Sequence, residues 1–191
     1  MKKTLIAVVL TTCSSTGAWA ESYNIDPTHT YPSFSISHLG YSTMRGRFDK
    51  NEGSLELDRV KKTASVSITI DAASINTGFG KRDDHLRSND FLNVAEFPKI
   101  TFKSTKVSFS GDMPSKVMGD LTIMGVTKNI TLEITGSKCA PHPMPQMKGK
   151  EVCGFDAKGA IKRSDFGIKY GLPAIGDDME LTFEVEAVKK G

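Results

Sequence analysis

A chain of 191 residues with 25 basic and 22 acidic side chains is long enough for one domain with a sizeable core. It is too evenly charged to follow a phosphate backbone, so nucleic acid is not an expected partner. No apolar run approaches the roughly 20 residues that cross a bilayer as a helix, so the working protein is expected to be soluble.

The chain opens as Met1-Lys2-Lys3, continues through apolar Leu5 to Leu10, and reaches Ala18-Trp19-Ala20, the three-part form of a secretory leader. Residues 1–20 are therefore expected to be removed and residues 21–191 to form the exported domain. A competing reading starts from Leu10-Thr11-Thr12-Cys13, which loosely resembles a lipoprotein box and would place a lipid on Cys13. Cleavage at the leader also removes Lys2, Lys3 and the single tryptophan, Trp19, so the remaining domain is close to neutral.

Beyond the leader, apolar and polar residues alternate with the period of half-buried strands. Tyr23 to Asp26 reads as a short first strand ended by Pro27. Phe34 and Ile36 alternate with Ser33, Ser35 and Ser37, and a turn follows at Gly40 to Ser42. Met44, Gly46 and Phe48 alternate with Arg45 and Arg47, and Leu55 and Leu57 continue beyond an expected turn at Asn51-Glu52-Gly53. Val66, Ile68 and Ile70 share one face of the clearest strand, Lys62 to Asp71.

The alternation stops between Ala72 and Pro98. Gly78 and Gly80 bend the chain, and Asp83 to Asn89 is polar enough for one or two helical turns, with Asp83 and Arg87 paired at i, i+4. A short helical excursion is expected around residues 82–92, lying over the mouth of the sheet structure. Alternation resumes at Ile100 and Phe102, but Val107 and Phe109 have the opposite parity, which predicts a bulge between them. Val117, Gly119, Leu121 and Ile123 pair with Ile130, Leu132 and Ile134 through an expected four-residue turn, Gly125 to Lys128. Phe155, Ala157, Gly159 and Ile161, then Phe166 and Ile168, and finally Met179, Leu181, Phe183, Val185 and Ala187 complete the pattern.

Two cysteines remain in the exported domain, Cys139 and Cys153, and in an oxidising compartment they most simply form one disulfide. The three prolines between them, Pro141, Pro143 and Pro145, rule out a central strand. Closing a loop of about 15 residues contributes roughly 3 kcal/mol in the chain-entropy model.

About eight or nine antiparallel strands with one polar face each fit a sandwich or a barrel. The long last strand can return to the first and remove exposed edges, which favours a single closed, all-β, eight-stranded barrel. Eight strands enclose either a packed core or one small ligand, and inward Gly119 and Gly159 are candidates for making space.

Seven phrases in order make the chain similar to the YceI-like family. They are Tyr23-Asn24-Ile25-Asp26 with His29, Phe34, His38-Leu39-Gly40 and Gly46-Arg47-Phe48; Ser74-Ile75-Asn76-Thr77; Arg82 to Ser88; Asp90-Phe91-Leu92; Phe97 to Phe102; Gly119 to Ile123 with Gly125 to Lys128; and Arg163 to Ile168. The resemblance implies a periplasmic, lipocalin-like antiparallel barrel whose apolar cavity carries a polyisoprenoid such as an isoprenoid quinone or a prenyl (pyro)phosphate, without catalysis. It implies no cofactor other than that lipid, and it leaves room for transient membrane contact and for a homodimer.

On this reading the lipid-facing residues are Phe34, Ile36, Phe48, Val66, Ile68, Ile70, Phe102, Leu121, Ile123, Leu132, Ile161, Phe166, Leu181 and Phe183, joined by Ile75, Leu86, Phe91 and Leu92 from the excursion. Arg82, Asp83, His85 and Arg87 either meet a head group or anchor the cap. Two other chemistries are visible. His85 beside Asp83 and Asp84 resembles an acid and base pair of a minor hydrolase, but no Gly-x-Ser-x-Gly nucleophile phrase or metal spacing accompanies it. Cys139, His142, Met144, Met147 and Cys153 are soft ligands suited to copper if the thiols are free.

Overall fold

Strand alternation in the sequence becomes a closed wall in a computed structural model, which describes residues 20–191. Residues 1–19 of the expected 1–20 leader, with the alternative lipidation site Cys13, lie outside the described residues. The strands are β1 (Glu21–Ile25), β2 (Tyr31–His38), β3 (Ser42–Phe48), β4 (Asn51–Asp58), β5 (Thr63–Asp71), β6 (Ile75–Asn76), β7 (Lys99–Ser110), β8 (Met113–Ile123), β9 (Val126–Pro141), β10 (Glu151–Lys162) and β11 (Ile175–Lys189). One α-helix, α1 (Gly80–Arg87), lies between β6 and β7.

These segments make eight antiparallel staves, because three staves are broken. β1 and β2 lie end to end along β11, pairing Ile25 with Ala187 and Tyr31 with Glu184. Pro27 interrupts them, and the Asp26 carboxylate holds the break by accepting from the Thr28 backbone N–H at 2.8 Å. β4 and β3 likewise pair with β1 and β2, and β5 and β6 pair with β4 and β3. The β1–β11 pairing closes the ring, so the lipocalin-like barrel expected from the sequence is present.

Several local expectations are corrected. The expected turn at Asn51 is strand: the chain breaks at Asp49 and Lys50, and buried Asn51 donates from Nδ2 to the Thr30 carbonyl at 2.8 Å, tying two broken staves together. The four-residue turn at Gly125 is a two-residue turn, Met124-Gly125, with both residues at positive φ and Ile123 facing Val126. Phe166 lies in a 3₁₀ turn, Arg163–Phe166, and no strand includes Ile168. The predicted bulge is present, with register slips either side of Thr105 and again at Phe109.

Gly119 and Gly159 do not open space. A Cβ on Gly119 would lie 2.4 Å from the Phe102 ring, and one on Gly159 would lie 2.6 Å from Leu132 Cδ2. Their missing side chains let a large neighbour lie flat on the wall.

Candidate functional site

The barrel has two unlike ends. At one, the start of β1, the β4–β5 turn, the start of β10 and the end of β11 supply an ionic floor. Tyr23, fully buried, donates its hydroxyl to Glu151 at 2.5 Å and lies 2.8 Å from Glu21. Arg59 Nη2 bridges the same two carboxylates at 2.9 Å each, and Lys189 pairs with Glu21. Lys189, with help from Tyr23 and Arg59, holds the Glu21 carboxyl at about 2, below the ordinary 4.5. Burial and the two carboxylates push the Tyr23 hydroxyl up.

A carboxyl with a lowered folded-state pKa stabilises the fold fully above its unfolded value and loses that contribution as pH falls through the folded value. Glu21→Gln should therefore lower the urea midpoint at pH 7, and the gap from the wild-type midpoint should close between pH 4.5 and about 2. A gap unchanged at pH 2 would mean that the floor contributes through packing alone.

Beside the floor, Cys139 and Cys153 face each other directly on β9 and β10 and are joined by a disulfide, with Cα atoms 4.0 Å apart. Both sulfurs are consumed, so the copper alternative loses its thiolates. His142 Nδ1 accepts from the Met144 backbone N–H at 3.1 Å.

The excursion covers the other end. β5 stops at Asp71, whose carboxylate accepts from the Ala73 N–H at 3.0 Å, and the chain passes through Ala72–Ser74 into β6. The helix beyond Gly78 is pinned at Thr77. Asp83, 6% exposed, accepts from the Thr77 backbone N–H at 2.9 Å and from its hydroxyl. Arg82 donates to Thr77 Oγ1 and to the Thr77 carbonyl, both at 2.7 Å. Arg87 donates to the Ala73 carbonyl at 2.7 Å, to the Ile75 carbonyl at 3.0 Å and to Asp84 at 3.0 Å.

The expected Asp83–Arg87 pair is thus replaced by Asp84–Arg87, because Asp83 turns inward to Thr77. The helix also ends at Arg87, earlier than the expected excursion helix to 92, and turns carry the chain on through Phe97. His85 Nε2 lies 2.8 Å from Asp90 Oδ2, so its acid partner is Asp90 and neither Asp83 nor Asp84. Its ring stands edge-on to Phe91 and to Tyr170, each 5.0 Å away between centroids.

Beneath this cap lies an apolar chamber of about 280 Å³. Its wall includes Phe34, Ile36, Phe48, Ile70, Ile75, Leu86, Phe91, Leu92, Leu121, Ile123, Ile161, Phe166, Leu181 and Phe183. A second chamber of about 80 Å³, nearer the floor, is bordered by Val66, Ile68, Phe102 and Leu132, and shares Ile70, Leu121 and Phe183 with the first. Arg82 and His85 border the upper chamber, whereas Asp83 and Arg87 do not. Arg82 therefore both fastens the cap through Thr77 and faces the lumen, His85 faces the lumen, and Asp83 and Arg87 fasten the cap alone.

Sequence reasoning missed part of the wall. Met44 and Met179 share the parity of Phe48 and Leu181, and Ile134 and Phe155 that of Leu132 and Ala157, so the same alternation carried their signal. His38, Arg45 and Tyr170 reach the upper chamber from the rim. Arg163 was also missed, although it continues the inward parity of Ile161. It is 2% exposed and donates to the carbonyls of Gly176 at 2.7 Å, Ile168 at 3.1 Å and Ile175 at 3.0 Å. Burial pushes its guanidinium down, opposed by the charge of Asp177.

Residues 23–187 match the family model described as YceI-like domain. Protein YceI of Escherichia coli O157:H7 is 38% identical over 195 aligned positions that cover 100% of both chains. Among solved structures, the Campylobacter jejuni YCEI protein superposes with a TM-score of 0.69 at 34% identity, covering 82% of this chain and 91% of that one. A polyisoprenoid binding domain from Saccharophagus degradans shares the fold, with a TM-score of 0.64 at 17% identity over 89% of this chain and 99% of that one. The chain belongs to the YceI-like family.

Proposed function

We propose that the protein is a periplasmic carrier of a polyisoprenoid lipid, an isoprenoid quinone or a prenyl (pyro)phosphate, and that it performs no chemistry on it. The observation that carries this reading is the apolar lumen, walled by aliphatic and aromatic side chains, with hydrogen-bond donors Arg82 and His85 beside its cap. A related fold described as a polyisoprenoid binding domain supports the ligand class.

Tail burial dominates the energetics. Each buried CH₂ contributes about 0.8 kcal/mol, so two isoprene units give roughly 8 kcal/mol before ordering costs are subtracted. His85→Ala should therefore leave the affinity for a bare polyprenol within about threefold and alter only the preference among head groups. Leu181→Gln puts an unpaired amide in the lumen and should weaken polyprenol binding at least about tenfold. Equilibrium binding to the folded variants decides this, and loss of all binding in His85→Ala would contradict a tail-dominated site.

Cargo of this kind is exchanged at membranes, and the cap end carries exposed Leu39, Phe79 and Tyr170, with Tyr41 at 89% exposure. Apolar and tyrosyl side chains at loop tips suit the bilayer interface. Transfer from vesicles that speeds up with vesicle concentration marks collision with the bilayer. Transfer that slows as protein concentration rises marks a rim covered by a second copy, and a rate independent of both marks passage of the lipid through water.

A further inference from the structure

The two chambers meet at three side chains, Ile70 on β5, Leu121 on β8 and Phe183 on β11. Around the ring of eight staves these positions are separated by one, two and two intervening staves. Three buried apolar groups spread so evenly round the wall project towards the axis from all sides. Above them lies about 280 Å³ of apolar space that reaches the cap, and below them about 80 Å³.

We propose that Ile70, Leu121 and Phe183 form a diaphragm that sets the longest isoprenoid tail the barrel accepts. This rests on the lipid-carrier reading and adds a specificity determinant to it. Each isoprene unit that enters buries five more carbons, so affinity climbs with chain length only while the upper chamber has room. Once the tail end reaches the diaphragm, the next unit stays in water at the mouth and adds nothing. The lower chamber is apolar and dry, and it has no cargo until the diaphragm is opened.

Leu121 is the group to remove, since truncation to alanine takes three carbons from the partition and leaves the cap and its polar residues untouched. The matched control is Ala157→Leu, which adds bulk to the wall of the lower chamber alone. Farnesol, geranylgeraniol and solanesol, with three, four and nine isoprene units, serve as probes in competition binding.

Wild-type affinity should stop rising at a defined tail length. Leu121→Ala should extend the rise by at least one unit, worth roughly tenfold or more in affinity for the longer probe. Leu121→Ala with Ala157→Leu should restore the wild-type limit, and Ala157→Leu alone should leave it unchanged. The proposal is overturned if folded Leu121→Ala keeps the wild-type length profile, or if Ala157→Leu alone shortens it, since the tail then already occupies the lower chamber. Should Leu121→Ala not fold, the milder Leu121→Val, which removes one carbon from the partition, takes its place with the same two outcomes. Failure of the wild type to bind any of the three prenols overturns the carrier reading instead.

Discussion

Replacing Arg163 by Met should lower the stability of the barrel by about 3 kcal/mol, as much as any single surface change could not. Two effects oppose each other. Removing a desolvated guanidinium relieves its burial penalty, which is why its charge is disfavoured in the fold. Against that, the carbonyls of buried Ile168 and of half-buried Ile175 and Gly176 lose their donor, and each group left unsatisfied costs about 1–3 kcal/mol. Three such losses outweigh one relieved charge.

The loop from Gly167 to Ala174 also presents Tyr170 to His85 and Phe91, so its release should loosen the cap. Arg163→Lys should recover little, because an ammonium cannot reach three carbonyls in a planar fork. Urea unfolding at neutral pH measures both variants, and a wild-type midpoint for Arg163→Met would show that the three carbonyls are satisfied without it.

Reduction of the Cys139–Cys153 disulfide, or its replacement by two alanines, should cost about 3 kcal/mol. The sequence separation of 14 sets the size of the loop whose closure entropy is restored to the unfolded chain. Little of the effect should come from lost contacts, since the two residues remain direct partners on adjacent staves. The expected signature is a lower urea midpoint together with a larger denaturant slope, because the unfolded chain expands without the link. Equal midpoints with and without reductant would mean that the β9–β10 pairing alone fixes this end of the barrel.

Much of this architecture is legible in alternation. Val66, Ile68 and Ile70 on β5, or Leu181 and Phe183 on β11, have neighbours of opposite polarity, and parity alone places them inward. Parity also carries the lumen wall, because in a closed barrel the inward face has nowhere else to point. The breaks in the staves are hidden for the same reason. Asn51 looks like a turn residue by type, but it pairs with Ile70 on β5 and its buried amide reaches the Thr30 carbonyl, 21 positions away.

Polar residues near the cap are the least legible. Arg82, Asp83, His85 and Arg87 are equivalent by composition, yet Thr77 selects Asp83 and Arg82, the Ala73 and Ile75 carbonyls select Arg87, and Asp90 selects His85. Those choices are made by contacts between segments, which no local pattern encodes. Gly119 illustrates the converse error: a missing side chain on an inward position looks like space, but Phe102 occupies it.

The central claim is that the lumen carries an isoprenoid, and the most direct measurement is organic extraction and mass spectrometry of protein isolated from its native cells without added lipid. The account predicts a co-purifying neutral or phosphorylated polyisoprenoid, recovered from the wild type and depleted in Leu181→Gln. Recovery of no lipid from folded wild-type protein, or of the same lipid at the same yield from both, would contradict it.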